Sequence, residues 1–447
     1  MEGLEISVVK LSEVLEDVDL RLESEYYNSE HIVFNSVQGC DIESFSQYGT
    51  SEDLNEEGKG FPILRLNEFD SFFISKPSKY CDLISKETFE LLKLKKNDVL
   101  ICRTNGNPKY VGKAAIVPKN YEYAFASYVF RLRPKTDIIN SATLVSFLNS
   151  KYGRIEIEKY SMVGNQANFS PAKFRQIAIP ILSKELNNKI EEIVYKSFEL
   201  LEESKSLYSQ SEDLLLGELG LKDWRPKNTL HTTKKFSDFA QSGRLDAEYY
   251  QQKYDEIEKA IKSYKGGYDI VSNLFNQNVD VCDYKKTEYN YVEIGDVNVG
   301  DGSVSFNKVE TSELPDNAKR VLHKNDILIS KVRPYRGAVA IIDFEQEDLI
   351  GSGAFTVLQE KSSYKKETLQ ILFRTAVYKD WLLKWNVGSS YPVIKDEDIL
   401  NLPIPILPEQ IQTKIASLIQ QSFECKAQSK QLLEDAKRMV ETEIEKN

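Results

Sequence analysis

Reactive residue types are scarce in this chain: three histidines, five cysteines, three methionines and three tryptophans in 447 residues. His31, His231 and His323 stand far apart and in no HExxH or triad-like spacing, which removes the commonest zinc and nucleophile arrangements. Cys40, Cys81, Cys102, Cys282 and Cys425 are scattered, odd in number and never in a CxxC pair. Buried thiols in a reducing cytoplasm are therefore expected, with neither disulfides nor a metal site. No apolar run approaches the roughly 18 residues that span a bilayer, so no membrane segment is predicted. Residues 1–10 carry acids and no apolar stretch, which argues against a signal peptide. The Asn/Asp-Pro-Pro-Tyr motif of amino-methyltransferases and a glycine fingerprint for a nucleotide cofactor are both missing. The chain is expected to be non-catalytic by itself and to hold no cofactor.

What is present is a long, well-filled chain with an uneven charge. Aromatics at 11% and charged residues at 28% describe globular material, and the length asks for two or more domains. The net charge of −11 argues at first against nucleic acid. Its distribution argues the other way: residues 1–60 hold 15 acids and 3 bases, whereas residues 61–182 hold 19 bases and 10 acids. A basic domain behind an acidic segment is the better guide to partners.

The chain is written twice. Arg21-Leu22-Glu23-Ser24-Glu25-Tyr26-Tyr27 returns as Arg244-Leu245-Asp246-Ala247-Glu248-Tyr249-Tyr250, Lys96-Asn97-Asp98-Val99-Leu100-Ile101 as Lys324-Asn325-Asp326-Ile327-Leu328-Ile329, and Ile179-Pro180-Ile181-Leu182 as Ile404-Pro405-Ile406-Leu407. The shifts, from 21 to 244, 97 to 325 and 179 to 404, are 223, 228 and 225 residues. A period this long means domain duplication, not a solenoid. Each copy opens with short strands around a Gly- and Pro-containing turn, continues through helical spacing at 141–152 and 366–385, and ends in a Pro-bearing strand before a long helix. The predicted boundaries are a first globular domain at 1–182, a long helix at 183–220, a linker at 221–243, a second domain at 244–407 and a second helix at 408–447. The predicted class is α+β.

The two helices share a register. A 4-3-4-3 spacing runs through Ile190, Ile193, Ser197, Leu200, Ser204 and Leu207, and a shift of 225 gives Ile415, Leu418, Ser422, Cys425, Ser429 and Leu432. Shared register with small residues at shared places predicts that these twelve positions pair the helices as an antiparallel coiled coil. At 1.5 Å per residue such a rod is roughly 50 Å long, with a β-rich domain at each end and a pseudo-two-fold between them. An amphipathic helix lying on its own domain is the plainer alternative.

Gly106 to Ala114 looks briefly like a phosphate loop, but five residues separate its glycines where that motif has four, and Ala114 stands where Ser or Thr should hold magnesium. A strand-to-strand turn is the better reading, and these turns carry cations. Arg103, Asn105, Lys109 and Lys113, with Arg131 and Arg133 on a nearby strand, mark the first copy; Lys331, Arg333, Tyr335 and Arg336 mark the second. A second loop precedes each final strand, with Asn165 and Gln166 in one copy and Ser389 and Tyr391 in the other. Arginine bridges a guanine edge, amides bridge adenine, and lysine neutralises phosphate, so these positions are candidate DNA contacts. The same residues also suit tight turns.

Taken together, the duplicated Lys-Asn-Asp-Val/Ile-Leu-Ile segment before a basic turn, the Gly164-Asn165-Gln166 and Gly388-Ser389-Ser390 loops, and the Ile-Pro-Ile-Leu strand leading into a long helix resemble the specificity subunit of type I restriction-modification systems. Leu407-Pro408-Glu409-Gln410 is similar to the family's run at the helix start, whereas Ser183-Lys184-Glu185-Leu186 departs from it. The resemblance implies two target recognition domains that each read half of a split, asymmetric double-stranded DNA site. It implies spacer helices that dock adenine-N6 methyltransferase subunits, two of them, and leaves room for a motor-nuclease subunit. S-adenosylmethionine would sit on the methyltransferase. A coiled-coil adaptor that binds no DNA, and a specificity subunit serving another phage-defence methylase without cleavage, are the alternatives.

Overall fold

The computed structural model describes residues 8–16, 34–70, 72–161, 167–227, 229, 231–387 and 391–446. The first copy of the Arg-Leu-Glu-Ser-Glu-Tyr-Tyr segment and His31 lie outside them. The chain divides into two compact units, Met1–Leu201 with Lys426–Asn447, and Glu202–Cys425. Each unit mixes strands and helices and takes a stretch of both long helices.

In the first unit the strands Glu43–Tyr48, Val129–Pro134, Val99–Cys102 and Ala114–Ile116 form an antiparallel sheet in that order. Its alternating side chains face two cores, as a period of two requires. Val99, Ile101, Phe130, Leu132 and Ile116 turn toward the helices, while Leu100, Ala115, Val117 and Val129 turn toward a smaller sheet of Phe61–Leu64, Lys79–Cys81 and Ala124–Phe125. The expected helix at 141–152 is broken: Ser141–Leu148 ends, and Lys151–Tyr160 restarts behind Ser150, whose hydroxyl accepts the Gly153 amide. A serine there caps the second helix and stops the first.

The second unit repeats this plan. Phe275–Gln277, Phe355–Glu360, Ile327–Ser330 and Val339–Ile341 form the matching sheet, again between two cores. Its companion sheet has four strands, Asn307–Glu310, Glu288–Val292, Leu349–Ser352 and Ala318–Val321. The expected helix at 366–385 breaks at Thr375, which accepts the Tyr378 amide and so occupies the place of Ser150. The duplicated Asn-Asp pair has one structural cause in both units. Asn97 and Asn325 take φ of 71° and 74°, in the left-handed region that asparagine tolerates. The buried carboxylates of Asp98 and Asp326 accept the amides of Lys95 and His323 at 2.9 Å each.

The long helices run Lys184–Leu219 and Glu409–Lys446. They pair antiparallel inside each unit. In the first, the hydroxyls of Ser197 and Ser429 lie 2.8 Å apart, and each donates to the other's backbone carbonyl, at 3.0 and 2.9 Å. In the second, the Ser204 and Ser422 hydroxyls lie 3.0 Å apart. Ile190, Leu200 and Ile415 are buried with them, whereas Ile193, Leu207, Leu418, Cys425 and Leu432 are only half-buried. Val194, Leu201, Ile419 and Leu433, one residue further along, take the interior places. The buried stripe is rotated because each helix also packs on its own sheet, adding a second apolar partner to the seam. Among the described residues no helix is long and apolar enough to cross a membrane.

Candidate nucleic-acid interface

Each sheet delivers a basic turn between an inner strand and the edge strand beside it, and each turn is held by the segment that follows the second candidate loop. In the first unit Thr104–Asn105 pairs antiparallel with Ala167–Asn168, and Phe169 donates its amide to the Arg103 carbonyl at 2.8 Å. In the second unit Val332 bridges to Val393, Arg333 donates to the Pro392 carbonyl at 2.8 Å, and Ile394 donates to the Lys331 carbonyl at 3.0 Å. The amide of Phe169 and that of Ile394 therefore do the same work, as do the carbonyls of Arg103 and Lys331. Asn165, Gln166 and Ser389 lie outside the described residues; the chain on their C-terminal side is what pairs with the turns.

The turn tips differ in chemistry. Asn105 is folded inward on the backbone, its side-chain oxygen accepting the Asn107 amide at 2.8 Å. Lys109 is exposed on the short helix Pro108–Tyr110, and the Lys113 ammonium lies 5.8 Å from the Tyr110 ring centre. The Arg103 guanidinium covers the ring of Tyr48 at 4.8 Å. In the second unit Arg333 takes φ 48° and ψ 54°, a left-handed conformation costly for a bulky residue, and its guanidinium lies 4.7 Å over Tyr391. Tyr335, Arg336 and Tyr391 are exposed beside it. Cations stacked on exposed rings suit contact with phosphates and base faces. Lys331 is withheld from this group by Asp396, 3.1 Å from its ammonium.

Arg131 and Arg133, candidates for DNA contact, do not join the first turn: both are engaged by Asp98, Arg131 in the interior and Arg133 half-buried. Arg131 is 2% exposed and donates to the carbonyls of Leu91 and Lys93, both at 2.8 Å, to Gln47, and to Asp98 at 3.2 Å. Burial pushes its guanidinium below the ordinary arginine range, opposed by Asp98. Arg133 reaches the same carboxylate at 2.5 Å. Both cations tie neighbouring strands of the sheet together through Asp98, which caps the preceding turn. Residue type alone missed this, since the partner lies 33 residues away in sequence.

Residues 256–438 match the family model described as the type I restriction modification DNA specificity domain. This stretch, 183 of the 447 residues, is similar to that specificity domain. None of the curated proteins matches the chain in sequence. Among solved structures, the type I restriction-modification S subunit from M. genitalium is 13% identical, with a TM-score of 0.45 over 93% of this chain and 96% of that one. The HsdS subunit from Thermoanaerobacter tengcongensis is 12% identical, with a TM-score of 0.29 over 92% and 96%. A structure described as showing complex assembly and conformational transition of the type I R-M system is 13% identical, with a TM-score of 0.28 over 92% and 95%. The specificity-domain match falls on the second unit's sheet and turn and on most of the second long helix.

Proposed function

We propose that this protein is the DNA-reading subunit of a type I restriction-modification assembly. Each unit reads one half of a split, asymmetric site through its basic turn and the adjoining loop, with Arg103, Lys109 and Lys113 serving the first half and Arg333, Tyr335, Arg336 and Tyr391 the second. The two long helices set the spacer between the halves and dock two adenine-N6 methyltransferase subunits. Those partners supply S-adenosylmethionine and flip the target adenine, in the cytoplasm; a motor-nuclease subunit completes the restricting form. The observation that carries this reading is the repeated pairing of a basic turn with the strand after a second loop, at Arg103 with Phe169 and at Lys331 with Ile394. A scaffold kept in both copies with tips that differ is what a reader of two unlike half-sites requires.

The test is to co-purify the chain with the candidate methyltransferase and map methylated adenines in host DNA. A motif of two short specified halves around a fixed unspecified spacer is expected. Affinity of the assembly for that DNA should fall steeply with salt, because phosphate contacts release counterions. A continuous motif defeats the two-reader model. Affinity that does not respond to salt favours an adaptor that binds no DNA.

A further inference from the structure

Arg374 ends the helix Lys366–Arg374 and is 7% exposed. Its guanidinium is shared among two loops and a long helix. Nη1 donates to the carbonyls of Gly337 at 3.1 Å and Val339 at 3.3 Å, at the exit of the second basic turn. Nη2 donates to Val299 at 2.9 Å, and Nη1 also lies 3.5 Å from the Asn298 carbonyl, in the loop 298–302. Nε donates to the hydroxyl of Tyr208 on the long helix Lys184–Leu219, a hydroxyl whose pKa burial pushes above the ordinary tyrosine value. Gly302 leaves room for this: a Cβ there would meet Gln370 Nε2 at 2.6 Å and Arg374 Nη1 at 3.1 Å.

The fold does not require a charge at this point. In the first unit the residue 225 positions earlier is Asn149, whose amide donates to the Ala114 carbonyl at 2.8 Å and accepts the Ala114 amide at 3.2 Å. Ala114 and Val339 begin equivalent strands, so a short neutral amide is enough to hold that strand. What Arg374 adds is reach, from the turn's exit across to the helix. A planar guanidinium with five fixed donors transmits position well, because it holds its acceptors in one geometry.

We propose that Arg374 is a positioning residue for base reading by the second turn: it aims Arg333 and Arg336 by tying the turn's exit to the long helix. The proposal rests on the reading of that turn as a DNA-contacting element.

The test uses the full chain assembled with its methyltransferase. The probes are three duplexes: the motif mapped for the wild-type assembly, and the same motif with one specified base pair changed in either half. Arg374→Gln should lose about tenfold or more of the discrimination at one half and none at the other, the scale of one misread base pair. Arg374→Lys should restore part of it. Tyr208→Phe should lose discrimination at that same half, and Arg333→Ala, the control on the reading itself, should do so too. Equal weakening on all three duplexes, or unchanged discrimination, with Arg374→Gln overturns the proposal. Where Arg374→Gln does not fold, Tyr208→Phe decides by the same comparison. If Arg333→Ala alone alters discrimination, the reading of the turn stands and the positioning role falls. If neither variant does, both fall.

Discussion

In the first unit the buried guanidinium sits on the small-sheet side, where Arg131 and Arg133 neutralise Asp98, and the helix end carries the neutral Asn149. In the second unit the arrangement is exchanged. Asp326 is held by the neutral amides of Asn278, at 3.1 Å, and Gln359, at 3.0 Å, and the guanidinium of Arg374 stands at the helix end. The backbone is the same in both places: an asparagine at positive φ, an aspartate accepting the amide three residues earlier, and a sheet of four strands in the same order. A duplicated scaffold thus tolerates a buried charge on either face of its sheet. Each buried charge is matched with hydrogen-bond partners, which are cations at Asp98 and neutral groups at Asp326 and Arg374.

The largest effect expected from this comparison is on stability. Asp98→Ala leaves Arg131 buried without its counter-charge and should cost about 3–5 kcal/mol. Asp326→Ala strands neutral amides, a backbone N–H and the half-exposed His323 imidazole at 3.8 Å, and should cost about 1–3 kcal/mol. Urea unfolding of the full chain measures both, and equal losses would remove the distinction between the units. Next in size is specificity: exchanging the turn Arg333 to Arg336 for another sequence should alter one half of the methylated motif, at about 1–3 kcal/mol per base pair, with the other half unchanged. Inserting one helical turn into both long helices should change only the spacer of that motif.

The serine seam should behave alike in the two units, which sharpens the contrast with the sheets. Ser197→Ala and Ser204→Ala each remove one hydroxyl from a reciprocal pair and should cost about 1 kcal/mol. A leucine at either position should cost more, about 1–3 kcal/mol, by overpacking the closest approach of the helices. Unequal losses at the two sites, measured by thermal unfolding, would show that the seam also differs between the copies. The smallest effect is a pH dependence at Arg244 and Asp246. The hydrogen bonds of Arg244 hold the Asp246 carboxyl below the usual aspartate range, against partial burial. A depressed carboxyl pKa gives stability that is present above the unfolded value and lost as pH falls through the folded one. The acid limb of the stability profile below about pH 4 should therefore flatten slightly in Asp246→Asn. Because the pair is partly exposed, the change should stay at the scale of surface ion pairs, about 0.2–1 kcal/mol.

Much of the plan was legible before any coordinates. The three repeated segments announced a duplication, and the Lys-Asn-Asp segments sat where both sheets turn. The serines at 197, 204, 422 and 429 marked the closest approach of the helices. These features are local: a periodicity, a positive φ that asparagine tolerates, a small side chain at heptad spacing. The breaks at Ser150 and Thr375 were also written locally, as N-cap residues inside runs read as single helices.

The sequence by itself determined the duplication, the long helices and the serine positions of their seam, because local spacing sets those; the rotation of the buried stripe came from packing on the sheets. Only the tertiary structure decided which cations remain at the turns. Arg131 lies on one strand and Arg103 just past the end of its neighbour, and the two are the same residue type. One meets Asp98 across the sheet and is buried, while the other covers an aromatic ring at the turn. Arg374 was hidden in the same way, since the four carbonyls and the Tyr208 hydroxyl that it gathers come from three separate stretches of chain. Burial and partnership are properties of the assembled sheet, and residue type does not carry them.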